Sequence, residues 1–408
     1  MPRAARLVLS IVLVLVPFGF AVETGRIGID FGNHWDEHLQ CRLVARTLST
    51  GVLVPGVYNY PMVPYWLTLS ALGFRSIFPT YQRAELMADL SDSKPVRVET
   101  SELQKYVLED HGFFLRVRLI FLVVSSLSVI WVYLLVLGWR QHVGEAFLAA
   151  AFLGLSWESA YHSRWIAPDQ VMTSFATLTM MFIIMVSVRR GPRKTLLYGA
   201  TVAAALATGT KYQSGLLLLP LVIVAYQTRD RALGLWALAR EYVGLGALFS
   251  VAFVLITPAA YLDPGRFVSW LVLMRDWYKN GGHFGYDAAP GLPHFWKILV
   301  YLGSDYFSFL LPIALLVSAF VVVGIVDIVR ESPARAALFF AFPALYVPYM
   351  SSQKVFIVRN LLIVGPFLAV AAARGARTAL ALSRFRVLRW AGTVAITAVL
   401  LINANWLY

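Results

Sequence analysis

Long apolar runs alternate along this chain with short charged ones. Runs able to cross about 30 Å of hydrocarbon fall at residues 5–22, 114–138, 145–161, 170–188, 195–209, 213–228, 241–258, 307–329, 336–350, 360–373 and 390–406. The pattern predicts an all-α polytopic membrane protein with about eleven transmembrane helices. Arg3 and Arg6 precede the first run as they would in a signal peptide, but its small-residue cleavage site is poor, so it reads as a retained helix. The segment MVPYWLTLSALGFRSIF at 62–78 is also long enough for a span. A crossing there would invert every later loop and erase the charge asymmetry described next, so it reads as a re-entrant or surface helix.

The charges fix a direction for this pattern. With the N-terminus inside, 17 of the 35 Lys and Arg residues face the cytoplasm, against 5 of the 22 acids. Inside segments then carry +12 of the +13 net charge. This is the arrangement expected of a multi-pass protein of the cytoplasmic (inner) membrane with its N-terminus inside. The basic balance is therefore spent on orientation, and no nucleic-acid partner is implied.

The same topology puts two long polar segments outside, at the periplasmic or exterior face: residues 23–112 and 259–306. The whole of 1–408 reads as one transmembrane domain carrying these two loops. Both are rich in aromatic residues, among them Trp35, Tyr60 and Trp66 in the first and Trp270, Trp277 and Tyr278 in the second. That density suits helices at the membrane interface and also a saccharide site. Residues 36–48, DEHLQCRLVARTL, place Leu39, Leu43, Val44 and Leu48 on one helical face, which predicts an interfacial amphipathic helix. The stretch 88–110 is polar and reads as the loop's most mobile part. Composition agrees: 59% hydrophobic and 14% charged residues exclude a soluble globular chain. The single cysteine, Cys41, excludes an intramolecular disulfide framework or a Cys-rich metal site.

Candidate chemistry gathers at the outer ends of the spans. Asp36 and Glu37 open a helix, and Asp169 opens another directly after Pro168, near Arg164. Each acid could be a helix cap or a reactive carboxylate. Lys211, in GTKYQSG, stands between two apolar runs, where a cation at mid-depth would cost roughly 2.5–3.5 kcal/mol. It either snorkels to the interface or meets an anion there. Arg359, in QKVFIVRNLL, and His283, in NGGHFG, share its side of the membrane. His34, His38 and Glu37 lack the spacing of a metal motif, so no metal site is assigned and ordinary interfacial roles are the better reading. Two carboxylates and several cations in an outward cavity suit displacement of a lipid-linked phosphate. A carboxylate takes the proton of an incoming hydroxyl, and cations steady the departing phosphate.

The order of motifs resembles the GT-C superfamily of integral-membrane glycosyltransferases, in particular the protein O-mannosyltransferase-like and lipid A aminoarabinose transferase-like families. The resemblance rests on HWDEHLQCRLVARTLSTGVLVPGVYNYPMVPYWL, then WIAPDQ, GTKYQSGLLLLP, TPAAYLDPGRF and VRNLLIVGPFLAVAAA, and it covers most of residues 5–375. It implies a polyprenyl-phosphate-linked sugar donor, a hydroxyl acceptor on a lipid, glycan or protein, and inverting single displacement. Within it Asp36 would be the base, Glu37 a neighbour positioning substrate, and Asp169 an acid shaping the donor or acceptor site. Lys211 and Arg359 would hold the donor phosphate, with His283 and Arg164 as further contacts. A divalent cation stays open, because some members of the superfamily use one and others do not. The chain departs from its relatives at YPMVP, 60–64, where many have consecutive prolines, and at Arg359-Asn360, where Arg-Tyr is common. The alternative is a transporter or flippase of a lipid-linked saccharide, which would show repeated halves and mid-membrane charges; a scaffold subunit of an envelope complex is a third reading.

Overall fold

The structure is a computed structural model that describes residues 3–32, 34–73, 102–230, 232, 234–281, 285–382 and 396–403. Within them the chain is helical, with one isolated bridge, Asp287 to Val355, and no strand. The helices in chain order are α1 (Arg3–Arg26), α2 (Trp35–Thr50), α3 (Val63–Ser70), α4 (Glu102–Glu109), α5 (His111–Arg140), α6 (Val143–Gly154), α7 (Trp157–Ser163), α8 (Pro168–Ser187), α9 (Arg193–Thr208), α10 (Leu218–Gln227), α11 (Gly234–Ile256), α12 (Ala259–Leu262), α13 (Pro264–Asn280), α14 (Leu292–Ser304), α15 (Leu311–Glu331), α16 (Pro333–Ser351) and α17 (Gly365–Leu382), with α18 over 396–403. Short 3-10 helices, Tyr212–Leu217 and Val358–Val364, lead into α10 and α17.

This is a multi-pass all-α membrane protein. Five helices among the described residues are long and apolar enough to cross a bilayer: α5, α8, α11, α15 and the continuous stretch Val358–Ala381. Residues 390–395 and 404–406 of the final predicted span lie outside the described residues, as do residues 74–78 of the 62–78 helix and most of 88–110. The long spans start and stop where their local chemistry dictates. Asp110 caps α5 by accepting from the Phe113 amide at 2.7 Å, and Gln141 ends it in the left-handed region at φ 54°. Pro168 occupies the first turn of α8, where its missing N–H costs nothing.

One element differs from the pattern's expectation. The apolar run 145–161 is not one helix: α6 stops at Gly154, and α7 restarts after Ser156, whose hydroxyl donates to the Tyr306 carbonyl at 2.8 Å. Hydropathy averaged over a window does not register such a break, although Glu158, Ser159 and His162 make the second half of the run more polar than the first. The segment 62–78, read as a re-entrant or surface helix, is an enclosed short helix over its described part. α3 buries Val63, Pro64, Tyr65 and Thr68, and Trp66 Nε1 donates to the Ile256 carbonyl at 2.7 Å.

The helices nearest one another are α15 and α17, which cross with backbone touching backbone. A Cβ on Gly324 would overlap the Ala371 carbonyl, and one on Gly375 the Phe320 carbonyl. In lipid, where apolar burial gives helices no preference for each other, such close approach is what associates them. At the basic ends of α5, α6, α15 and α17, the buried Glu145 pairs with Arg377 at 2.5 Å and lies 3.5 Å from Arg374, which also holds Asp327 and Glu331. These acids clasp helix ends together.

Substituting Gly324 or Gly375 with Ala is expected to destabilise the protein by about 1–3 kcal/mol through overpacking. Gly246→Ala, on α11 with open space around it, is expected to be neutral or slightly stabilising. Thermal unfolding of the three variants in detergent measures the difference. Equal melting temperatures would mean that the crossing is looser than described.

Candidate active site

The site begins with a cap. His34 precedes α2 in extended conformation, and its Nδ1 accepts from the Asp36 amide at 3.2 Å, while Glu37 accepts from the His34 amide at 3.1 Å. This reciprocal arrangement does the work that the capping reading would assign to Asp36. The Asp36 side chain is left for other partners. Its Oδ2 meets Arg359 Nη1 at 2.8 Å, and its Oδ1 accepts from the Tyr60 hydroxyl at 3.2 Å.

Asp169 is likewise not spent on its own helix. The residue flanking α8 is Ala167, which offers no side-chain cap. The Asp169 carboxylate pairs with Lys211 and lies 3.5 Å from Arg359 Nε. Lys211, only 2% exposed, also donates to Asn360 Oδ1. Asn360 thus has a definite partner at the position where Arg-Tyr was the expected pattern, and its backbone carbonyl accepts from the Tyr346 hydroxyl at 2.7 Å. Asp36, Arg359, Asp169 and Lys211 form a continuous chain of alternating charge. Two positive and two negative groups balance, as burial of ionised side chains requires.

Burial pushes the Asp36 carboxyl above its ordinary range, against the pull of Arg359. Burial, helped by Arg359, holds the His34 imidazole down at about 3, so it is neutral near pH 7. A neutral imidazole has one acceptor nitrogen. His34 can therefore serve the Asp36 amide or Arg359, which approaches its Nε2 at 2.7 Å, but not both. The competition leaves Arg359 less firmly held on this side than its ion pairs alone would indicate.

Asp36, Tyr60, Lys211 and Arg359 line a cavity of about 1160 Å³ together with Leu216, Leu271, Met274 and Tyr278, whose hydroxyl donates to Asn360 Oδ1 at 3.4 Å. The charged groups form the polar end of this cavity, and Leu271 and Met274 of α13 contribute apolar side chains to its lining. No cluster of three His, Cys, Asp or Glu side chains comes together among the described residues.

The remaining residues singled out in the sequence lie elsewhere. Glu37 is fully buried and turned away from the cavity. Arg118 donates to its two oxygens at 2.8 and 2.6 Å, and the Ile166 amide donates to Oε1 at 3.2 Å. Arg118 also reaches the Gly32 carbonyl at 2.9 Å and stands 5.0 Å from the Trp165 ring. The pair ties α2, α5 and the entry to α8 together, which is a positioning task. Arg164 donates to the Ile27 carbonyl and lies over the rings of Tyr161 and Trp165 at 5.0 and 5.1 Å, away from the polar end. His283 lies outside the described residues. Tyr60, His34, Asn360 and Arg118 were not singled out as site residues from the sequence. Only Arg118 carried a clear signal, as a charge within the apolar start of a predicted span, which calls for a buried partner.

The family model for dolichyl-phosphate-mannose-protein mannosyltransferases matches residues 85–268, under half the chain. That range includes Asp169 and Lys211 but not Asp36 or Arg359. Among solved structures, ArnT from Cupriavidus metallidurans bound to undecaprenyl phosphate is similar at 15% identity with a TM-score of 0.58, covering 98% of this chain. ArnT of the same organism in the apo state is similar at 15% identity with a TM-score of 0.56, covering 95% of this chain. This chain spans 64% and 61% of those two chains. No curated protein matches in sequence. The resemblance to GT-C integral-membrane glycosyltransferases therefore holds in the family model and in the fold.

The two neighbouring acids of α2 separate by experiment. Glu37→Gln leaves Arg118 buried without its counter-charge and is expected to cost about 3–5 kcal/mol. Asp36→Asn leaves Arg359 with Asp169 and is expected to cost far less. Thermal unfolding of both variants checks this, and a Glu37→Gln protein as stable as the parent would remove the anchoring role.

Proposed function

We propose that this protein is a polyprenyl-phosphate-dependent glycosyltransferase of the cytoplasmic membrane, with residues 23–112 and 259–306 as its long outside loops and its active site on the outer face. The observation that carries the proposal is the Asp36–Arg359 contact: a carboxylate and a guanidinium side by side on the wall of a cavity lined by both charged and apolar side chains. The charged groups suit a phosphate and the apolar side chains a prenyl chain. Support comes from the family model, whose description names a dolichyl-phosphate sugar, and from a similarly folded protein solved with undecaprenyl phosphate. The charge asymmetry of the loops supports the orientation.

In this reading the acceptor hydroxyl oxygen attacks the anomeric carbon of the donor from the face opposite the phosphate. Its proton passes to Asp36 as the new C–O bond forms. The bond from the anomeric carbon to the phosphate oxygen breaks, and its electron pair stays with the phosphate. The single displacement inverts the anomeric centre. Arg359 and Lys211 take up the growing negative charge of the leaving group. Asp169 holds both cations in place before the donor arrives, and Tyr60 orients the Asp36 carboxylate. The acceptor is a hydroxyl of a lipid, glycan or protein.

Asp36→Asn should leave a folded protein without transfer, because an amide cannot accept the proton. A loss of about 10²–10⁴-fold is expected. Lys211→Met and Arg359→Gln should weaken donor binding as well as turnover. Mass spectrometry of envelope lipids, glycans and proteins from cells carrying the parent protein, Asp36→Asn or neither tests the first outcome. A hexose or pentose increment seen only with the parent supports the reading. Identical spectra, with the protein folded and a donor present, would turn the case toward a transporter or scaffold.

The acid limb of the rate profile gives a second test. The active form of Asp36 is the ionised one, so activity is lost as pH falls through its pKa. Burial raises that pKa, so half-loss should come above the ordinary value of about 4. Arg359 pulls it down, so Arg359→Gln should move the limb to still higher pH. A limb that stays in place in Arg359→Gln would separate Asp36 from the proton transfer.

A further inference from the structure

The break at Gly154–Ser156 turns α7 into a wall of the cavity, and the four charged side chains discussed so far make no use of it. Trp157, Glu158, Tyr161 and His162 all line that cavity. Glu158 and His162 are one turn apart, with Oε2 and Nε2 3.1 Å from each other and side chains only 10% and 9% exposed. Beside them Trp157 and Tyr161 stack at 5.4 Å with 26° between ring planes. His162 lies within electrostatic reach of His34 and Asp169, so the pair adjoins the polar end of the cavity.

Glu158 is nearly buried, and among the described residues no Lys or Arg pairs with it; besides His162, the Tyr301 hydroxyl is its neighbour, which leaves acceptor capacity on the carboxylate. Such a carboxylate is costly unless hydrogen bonds compensate it. Its place in the first turn of α7 offers a modest electrostatic return, which does not account for its facing the cavity. A carboxylate can accept two hydrogen bonds from neighbouring hydroxyls, and an aromatic wall can take the C–H face of a saccharide ring. Phosphate chemistry, by contrast, would be repelled from Glu158.

Resting on the function proposed above, we infer that Glu158 is a specificity-determining residue that reads the glycosyl group of the donor. It accepts hydrogen bonds from two sugar hydroxyls, His162 fixes the orientation of its carboxylate, and Trp157 and Tyr161 flank the ring. The cavity then divides its ligand by chemistry. Arg359 and Lys211 take the phosphate, α7 takes the sugar, and the anomeric carbon falls between them, within reach of the acceptor and Asp36.

The test is binding to the intact protein in detergent. The probes are undecaprenyl phosphate and its mannosyl, glucosyl, galactosyl and arabinosyl phosphodiesters, read by intrinsic tryptophan fluorescence. The parent is expected to bind at least one glycosylated probe more tightly than the bare carrier. Glu158→Gln keeps the shape but not the charge, and should weaken that probe by about tenfold or more, with binding of the bare carrier unchanged. Trp157→Leu should weaken the same probe selectively and carries the test if Glu158→Gln does not fold. The inference is overturned if Glu158→Gln retains the full preference for the glycosylated probe. It is overturned equally if the variant loses bare and glycosylated carriers alike, or if the parent shows no glycosyl preference. Failure of the parent to bind even bare undecaprenyl phosphate would overturn the donor reading itself.

Discussion

Everything at the polar end of this molecule depends on the position of Arg359 between Asp36 and Asp169. The guanidinium is 2.8 Å from one carboxylate and 3.5 Å from the other, while Lys211 closes the chain beyond Asp169. Four ionised groups in a largely dehydrated wall are tolerable only as a balanced set, since any one of them alone would face a desolvation cost of several kcal/mol. The balance therefore constrains the helices that supply the members. The start of α2, the start of α8, the turn before α10 and the turn before α17 must all meet at one point.

An anion entering this set would change its accounting. A phosphodiester brings one negative charge, and cleavage to a monoester adds more, so a neutral chain is matched to neither state. In the proposed reaction Arg359 would turn from Asp36 toward an incoming phosphate while keeping its place beside Asp169. His34 makes that movement easier, since a neutral imidazole already bonded to the Asp36 amide cannot also accept from Arg359. The contact that keeps Asp36 ionised is thus also the contact that a phosphate would loosen.

Much of the fold was legible because membrane helices announce themselves by length and hydropathy, and the long spans α5, α8, α11 and α15 stand where those signals put them. The acids were legible too, as charges beside the ends of apolar runs. Their partners were less so. Asp36 and Glu37 are adjacent, and on a helix successive side chains point about 100° apart, so neighbours in sequence need not share a site. Here one faces the cavity and the other is locked on Arg118. Arg164 was expected as a further donor contact, yet it is engaged by a carbonyl and two aromatic rings. Such distinctions depend on contacts between residues far apart in sequence: 81 positions separate Arg118 from Glu37 and 325 separate Arg359 from His34.

The break between α6 and α7 was hidden for a related reason, and it exposes a rule that governs the whole site. Irregular backbone within an apolar helix bundle leaves amides and carbonyls without their usual partners, and it is tolerated where it lines a cavity or is satisfied by protein. Three such interruptions meet here. Ser156 donates its hydroxyl to the Tyr306 carbonyl, and the 3-10 turns Tyr212–Leu217 and Val358–Val364 follow or contain Lys211 and Arg359. Each interruption lies beside the cavity, whose lining includes Trp157 and Glu158, Tyr212 and Gln213, and Val358 and Arg359. The cations stand at these interruptions because that is where a polar side chain can leave the helix surface and reach across to Asp169 and Asp36. The cavity and the charged chain along its wall thus share the same interruptions.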